Sequence, residues 1–250
     1  MSYQTRNDYN TSFFHVMSHG INDEYIFEKD VYKDFYLYLV NKELKQFEGI
    51  HILSFCVMSN HTHFLFYTNS IKKLSKYIQI VNSKYAKFYN ENELRRGYVF
   101  RERFKSQPIF SEKYLFQCIN YIHNNPVKAK MVNECNEYKY SSFNDYMGGI
   151  GISNSKIIKE IMGDRNFDND FLKKYDDNYF NESISTSALY VNCVVDRYIE
   201  KFGITKEQIS GDDKLMNELI TELYKKRFVK KKDISEILNV SYWKLKNLKK

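Results

Sequence analysis

The chain has 250 residues, 43% hydrophobic and 17% aromatic, which is enough to bury a sizeable core and excludes wholesale disorder. Its longest near-continuous apolar run, residues 52–58, is too short to span a membrane, and Met1-Ser-Tyr-Gln-Thr-Arg lacks the apolar core of a secretion signal. The 4 cysteines (Cys56, Cys118, Cys135 and Cys193) show no CxxC spacing and read as reduced thiols of a cytoplasmic protein, while the net charge of +7 is by itself only a weak pointer to a polyanionic partner.

In chain order, residues 12–18 read as a strand containing Phe13, Phe14 and Val16 before a turn at Gly20. Residues 30–47 read as a helix capped by Asp30, with Val31, Phe35, Leu39 and Leu44 recurring at helical spacing. Residues 50–58 and 61–67 read as a hairpin pair joined by Ser59-Asn60, and both are expected centrally in an antiparallel sheet. Residues 71–89 form a basic helix with Leu74, Ile78, Val81, Tyr85 and Phe88 on one stripe. Residues 97–110 are a loop and a further strand. Ser111 then caps a helix that Pro126 is expected to stop near Asn124.

The order β-α-β-β-α-β, followed by a helix, predicts an α+β fold: a ferredoxin-like antiparallel sheet with helices on one face. Gly148-Gly149 ends this first domain, 1–149. Residues 150–188 are acidic and weakly periodic, an expected linker or set of peripheral helices. Residues 189–250 read as a small all-helical region. Within it, Ile234 and Leu238 mark a short helix, Asn239-Val240 a turn, and Ser241 the cap of a basic recognition helix carrying Lys244 and Lys246. That rhythm is a helix-turn-helix, although any helical segment with a basic face would resemble it.

Charge follows the same divisions. Residues 1–60 carry a net −3, 61–132 a net +9, 133–224 a net −7 and 225–250 a net +8. Two basic blocks flanking an acidic one suggest two nucleic-acid surfaces. In the first, Lys84, Arg95, Arg96, Arg101, Arg103 and Lys105 are candidate contacts to DNA, with Tyr77, Tyr85, Tyr89 and Tyr98 offering rings for base stacking. Arg101, Arg103 and Lys105 rank first because they lead into the strand expected beside the site.

The sharpest local chemistry is His61-Thr62-His63. Residues i and i+2 of a strand project from one face, so both imidazoles can reach one divalent ion. On the helix capped by Ser111, Tyr121 and Asn125 stand at i and i+4, sharing a face as nucleophile and neutral oxygen ligand. Tyrosine suits reversible cleavage, because a phosphotyrosine ester retains the energy of the broken phosphodiester.

Several stretches extend this pattern. They are Phe14-His15-Val16, Met58-Ser-Asn-His61-Thr-His63-Phe-Leu65, Asn82-Ser-Lys-Tyr85-Ala-Lys-Phe-Tyr-Asn90, Gly97-Tyr-Val-Phe100-Arg-Glu-Arg103-Phe-Lys105-Ser, Tyr121-Ile-His-Asn-Asn-Pro126-Val-Lys-Ala129 and Tyr138-Lys-Tyr-Ser-Ser142-Phe-Asn-Asp-Tyr146. In this order the set resembles the HUH-type single-tyrosine transposases, of the insertion-sequence-200-like and REP-associated kinds, over about residues 12–148. The resemblance implies the HUH endonuclease fold, His61, His63 and Asn125 as ligands of Mg²⁺ or Mn²⁺, and Tyr121 as nucleophile, with no nucleotide cofactor. It implies single-stranded or hairpin DNA as substrate, cleaved and rejoined through a covalent 5′-phosphotyrosine. It leaves both a homodimer with exchanged tyrosine helices and a monomer compatible with the chain. Thr62, Ser59, His19 and Tyr140 depart from the family pattern without removing a catalytic atom. Two other readings stand beside it: a catalytically silent DNA-binding protein of the same fold, and a metal-dependent phosphohydrolase of a small substrate.

Overall fold

The computed structural model describes residues 9–149, 151–163 and 180–247, apart from the side chains of Ser155, Lys246 and Asn247. Runs of aromatic and β-branched residues build four strands, β1 (Phe13–His19), β2 (Ile50–Val57), β3 (His61–Thr68) and β4 (Lys105–Ile109). They pair antiparallel in the order β2-β3-β1-β4, the ferredoxin-like arrangement. β2 therefore lies at an edge of the sheet, not centrally as its composition predicts. Its apolar residues are buried because later chain runs along that edge. Val57 N donates to Tyr140 O at 2.9 Å, Ser142 N to Phe55 O at 3.0 Å and Asn154 N to Ile52 O at 2.7 Å.

Strand alternation sorts side chains onto two faces. On one, Phe14, Val16, Phe55, Phe64 and Phe66 meet α1 (Asp30–Leu44) and α2 (Ile71–Asn92), with Tyr36 packing on Phe64 and Tyr77 on Phe66. These two crossover helices share a face, as the topology predicts. The helix after β4, α3 (Glu112–Lys128), packs on the opposite face, where a ring nitrogen of His123 lies 3.0 Å from Ser54 Oγ.

Three local expectations change. The buried stripe of α1 holds the predicted Leu39 but otherwise Tyr32, Tyr36 and Val40 in place of Val31 and Phe35, and Val31 is exposed. Large aromatic surface wins the core-facing positions there. Asp30 is the first helical residue and not the cap, so its carboxylate meets the positive helix end and Lys33 at 3.6 Å. Pro126 sits inside α3. A proline lacks one amide donor, but Ala129 N still reaches Asn125 O at 2.9 Å, and the chain turns only after Lys128, with Lys130 left-handed.

The described part of Thr11–Phe180 is one compact unit; it holds α4 (Phe143–Tyr146) and extends past Gly149 to include α5 (Ser155–Met162) and Phe180. The described part of Asn181–Lys250, with Tyr9 and Asn10, is a second. It holds α6 (Thr186–Phe202), α7 (Lys206–Gly211), α8 (Asp213–Tyr224), α9 (Lys231–Leu238) and α10 (Tyr242–Asn247) around Val191, Val194, Ile209, Met216, Leu219, Ile234, Leu238 and Leu245. α9 ends at a left-handed Asn239, and Ser241 Oγ accepts from Lys244 N at 3.2 Å to start α10. Among the described residues no helix is long and apolar enough to cross a membrane.

Candidate active site

The register of the two central strands decides what surrounds the histidine motif. β1 pairs with β3 so that His19 faces His61, Met17 faces His63 and His15 faces Leu65. Residues directly opposite share a face, so His15 and His19 join His61 and His63. The His19 and His61 rings stack at 5.0 Å, those of His15 and His63 at 5.2 Å, and His61 meets His63 edge-on at 4.7 Å. His15 belongs to this group although sequence reasoning assigns it no role. The signal is there, because positions 15 and 19 of a strand project to the same side, but only the register says which side.

Burial sets the charge of these rings. Loss of solvent pulls His61 down to about 4 and, with the neighbouring imidazoles adding to it, His63 well below the ordinary histidine value. The same cause holds His15 at about 3. All three are neutral at pH 7, the form in which an imidazole offers a lone pair to a cation. His61 Nδ1 lies 2.6 Å from Asn60 Oδ1, and His63 Nδ1 lies 3.1 Å from His15 Nε2. His61 and His63 thus fit a divalent cation by donor type and by shared face. Among the described residues no group of three or more His, Cys, Asp or Glu side chains is set to hold a metal.

Thr62, between the two, points to the other face and is buried. There Tyr36 Oη donates to Asn82 Oδ1 at 2.9 Å. Asn82 Nδ2 in turn reaches Ser18 Oγ at 2.9 Å.

α3 brings Tyr121 onto the histidine face. Its ring meets His63 edge-on at 5.5 Å and His15 at 6.2 Å, while Lys128 Nζ lies 5.6 Å from the ring centre. What fixes α3 over the sheet is His123, buried and neutral, packed among Ser54, Ser142 and Tyr146. Asn125 Nδ2 donates to Tyr121 O at 2.8 Å, one turn back, which leaves Oδ1 as the amide atom for a ligand. Phe180 lies against Tyr121 at 4.7 Å and His15 at 5.2 Å, a neighbour that nothing in the sequence singles out.

The expected DNA contacts divide. Arg101, Arg103 and Lys105 are exposed on the loop and strand beside the histidines: Arg101 N donates to His19 O at 2.9 Å, and Lys105 pairs across from Met17. Arg96 is exposed, whereas Arg95 is ion-paired with Glu24 and donates to Tyr98 O. Lys84 binds the buried carboxylate of Glu43 at 2.7 Å. In the second unit, Lys244 reaches Asp213 at 3.0 Å and Ser210 O at 3.1 Å, and the Lys246 side chain lies outside those described. Tyr77, Tyr85 and Tyr89 are buried in the core, so of the four candidate stacking rings only Tyr98 is exposed.

Residues 9–125 match the family model described as IS200-like transposase. This stretch, 117 of the 250 residues, is similar to the IS200-like transposases. It takes in all four strands and both segments that carry His61, His63, Tyr121 and Asn125. Among solved structures, a REP-associated tyrosine transposase bound to a REP hairpin is similar at 17% identity and a TM-score of 0.49, over 59% of this chain and 86% of that one. No curated protein matches the chain.

Proposed function

We propose that this chain is a transposase that cleaves and rejoins single-stranded DNA, near hairpins, through a covalent bond between Tyr121 and a 5′-phosphate. The observation that carries the reading is the meeting of Tyr121 with His63 at 5.5 Å, on a face that also holds His61. In the forward step Tyr121 Oη attacks phosphorus and loses its proton, the P–O3′ bond breaks, and the departing oxygen takes up a proton as a free 3′-hydroxyl. In the reverse step a 3′-hydroxyl attacks the phosphotyrosine and releases the phenol, so no nucleotide cofactor is needed.

Neutral His61 and His63, with Asn125 Oδ1, would hold Mg²⁺ or Mn²⁺, which supplies charge stabilisation at the phosphate when bound. Arg101, Arg103 and Lys105 would hold the backbone of the strand, at the rim of the same face. The α9-turn-α10 pair of the second unit would dock on duplex DNA, keeping the domain near its target, and the work would be done in the cytoplasm.

Incubation of the chain with single-stranded hairpin DNA and Mn²⁺, resolved on a denaturing gel, is expected to give a covalent protein–DNA adduct. Tyr121→Phe should give none. An adduct that persists in Tyr121→Phe would move the nucleophile to another tyrosine. No adduct from the unaltered chain, on hairpins drawn from the DNA flanking its gene, would favour the catalytically silent reading.

A further inference from the structure

The last helix of the second unit turns its lysine inward and its rings outward. α10 is seated by Leu245, fully buried in the core of that unit, and by Lys244, whose Nζ lies 3.0 Å from an Asp213 carboxylate oxygen and 3.1 Å from Ser210 O. Those contacts hold Lys244 against the end of α7 and the start of α8, so its charge is not what α10 presents. Its first turn presents Tyr242 and Trp243, which are 57% and 73% exposed. Successive helix positions are about 100° apart, so with Leu245 turned into the core, Trp243, two positions earlier, points away from it.

A single apolar side chain on a surface is ordinary, but two adjacent large rings at the leading end of a helix concentrate apolar surface in water. Their surroundings are cationic. Lys231 Nζ lies 5.6 Å from the centre of the Tyr242 ring, which sets the first turn of α9 beside that of α10. Lys230, next to it, is exposed, as are Lys225 and Arg227 before it, within a segment, 225–250, of net charge +8. Cations of that density suit a polyphosphate, yet the rings have nothing to bind in a phosphate. The major groove of duplex DNA supplies both partners, phosphates along its edges and the methyl groups of thymine on its floor.

We propose that Tyr242 and Trp243 are the base-reading residues of the second unit, making apolar contact with thymine methyl groups in the major groove while Lys230 and Lys231 hold adjoining phosphates. The inference rests on the docking of α9-turn-α10 on duplex DNA, and it moves the reading of sequence from Lys244 to the two rings. Sequence preference and electrostatic grip then reside in different side chains, so each can be removed without the other.

Trp243 is the chain's only tryptophan, so its fluorescence reports this surface alone. The full chain, kept free of divalent metal, is titrated with a short duplex that the chain itself has enriched from a randomised pool. Trp243 emission is expected to shift on binding. Trp243→Ala should weaken affinity by about tenfold at an unchanged salt slope, because a base contact is lost and no phosphate contact is. Replacing the thymines of that duplex with uracil removes only methyl groups; it should weaken the unaltered chain by about threefold or more and Trp243→Ala by less than about twofold. Unshifted emission in the duplex-bound chain, or equal losses on uracil in both proteins, overturns the inference and leaves the docking of α9-turn-α10 in place. Failure to bind any duplex at low salt removes both. Emission that changes with protein concentration before DNA is added assigns the rings to a contact between copies of the chain and also overturns the inference. Trp243 lies outside the core, so Trp243→Ala is expected to keep the fold.

Discussion

At the end of β1, Gly20 is the residue on which the histidine face depends most narrowly. A Cβ built there would lie 2.4 Å from Glu24 O and 3.3 Å from Asn60 O, so any side chain pushes against the turn that follows β1 and the turn that leads into β3. Gly20 N also donates to Asn60 O at 2.8 Å, which ties this position to the residue holding His61. Gly20→Ala is therefore expected to cost about 1–3 kcal/mol in chemical denaturation, the usual range for overpacking. It should also weaken Mn²⁺ binding, and a variant of unchanged stability would show that the turn yields easily. For the proposed ligands, His61→Ala combined with His63→Ala should abolish the dependence of adduct formation on Mn²⁺. An unaltered Mn²⁺ titration would remove the pair from the metal site.

Among the elements, the loop into β4 and the basic helix α2 carry similar charge and do different things with it. Arg101, Arg103 and Lys105 border the histidine face and are exposed, whereas Lys84 neutralises Glu43, whose carboxylate is almost fully buried. Replacing Arg101, Arg103 and Lys105 with Gln should lower single-stranded DNA affinity and flatten its salt dependence by about 0.7 per charge removed. Lys84→Met should leave that slope unchanged and cost about 1–3 kcal/mol in stability, because a buried acceptor is deprived of its main donor. The reverse pattern would put α2, not the loop, against the DNA. Both clusters are legible in the sequence as basic. That one lysine faces a buried glutamate contributed by α1 is not, since the pairing depends on how α1 and α2 pack.

For the molecule as a whole, the second basic block is part of a folded unit and not a detachable tail. Phe228, Ile234, Leu238 and Leu245 are buried, so removing residues 225–250 would strip its core along with its charge. Charge alone is better tested by Lys225→Gln, Arg227→Gln and Lys230→Gln, at exposed positions. If the helical unit holds duplex DNA, the salt slope of duplex binding should fall by about 0.9 for each phosphate no longer neutralised, while cleavage of a hairpin at low salt persists. An unchanged slope would reduce the block to a solvated charge run.

The sequence alone determined the order of the elements and the pairing of His61 with His63 on one side of a strand. It also determined the placing of Tyr121 and Asn125 one turn apart on a helix. Those features follow from the period of a strand or a helix, which each segment carries within itself. The tertiary structure decided the rest: that α3 crosses the face opposite α1 and α2, that β1 contributes His15 and His19 beside the motif, and that Tyr77, Tyr85 and Tyr89 fill the core. Cross-strand register and the choice of buried face depend on apolar surface summed over several elements at once, and no single segment contains that information.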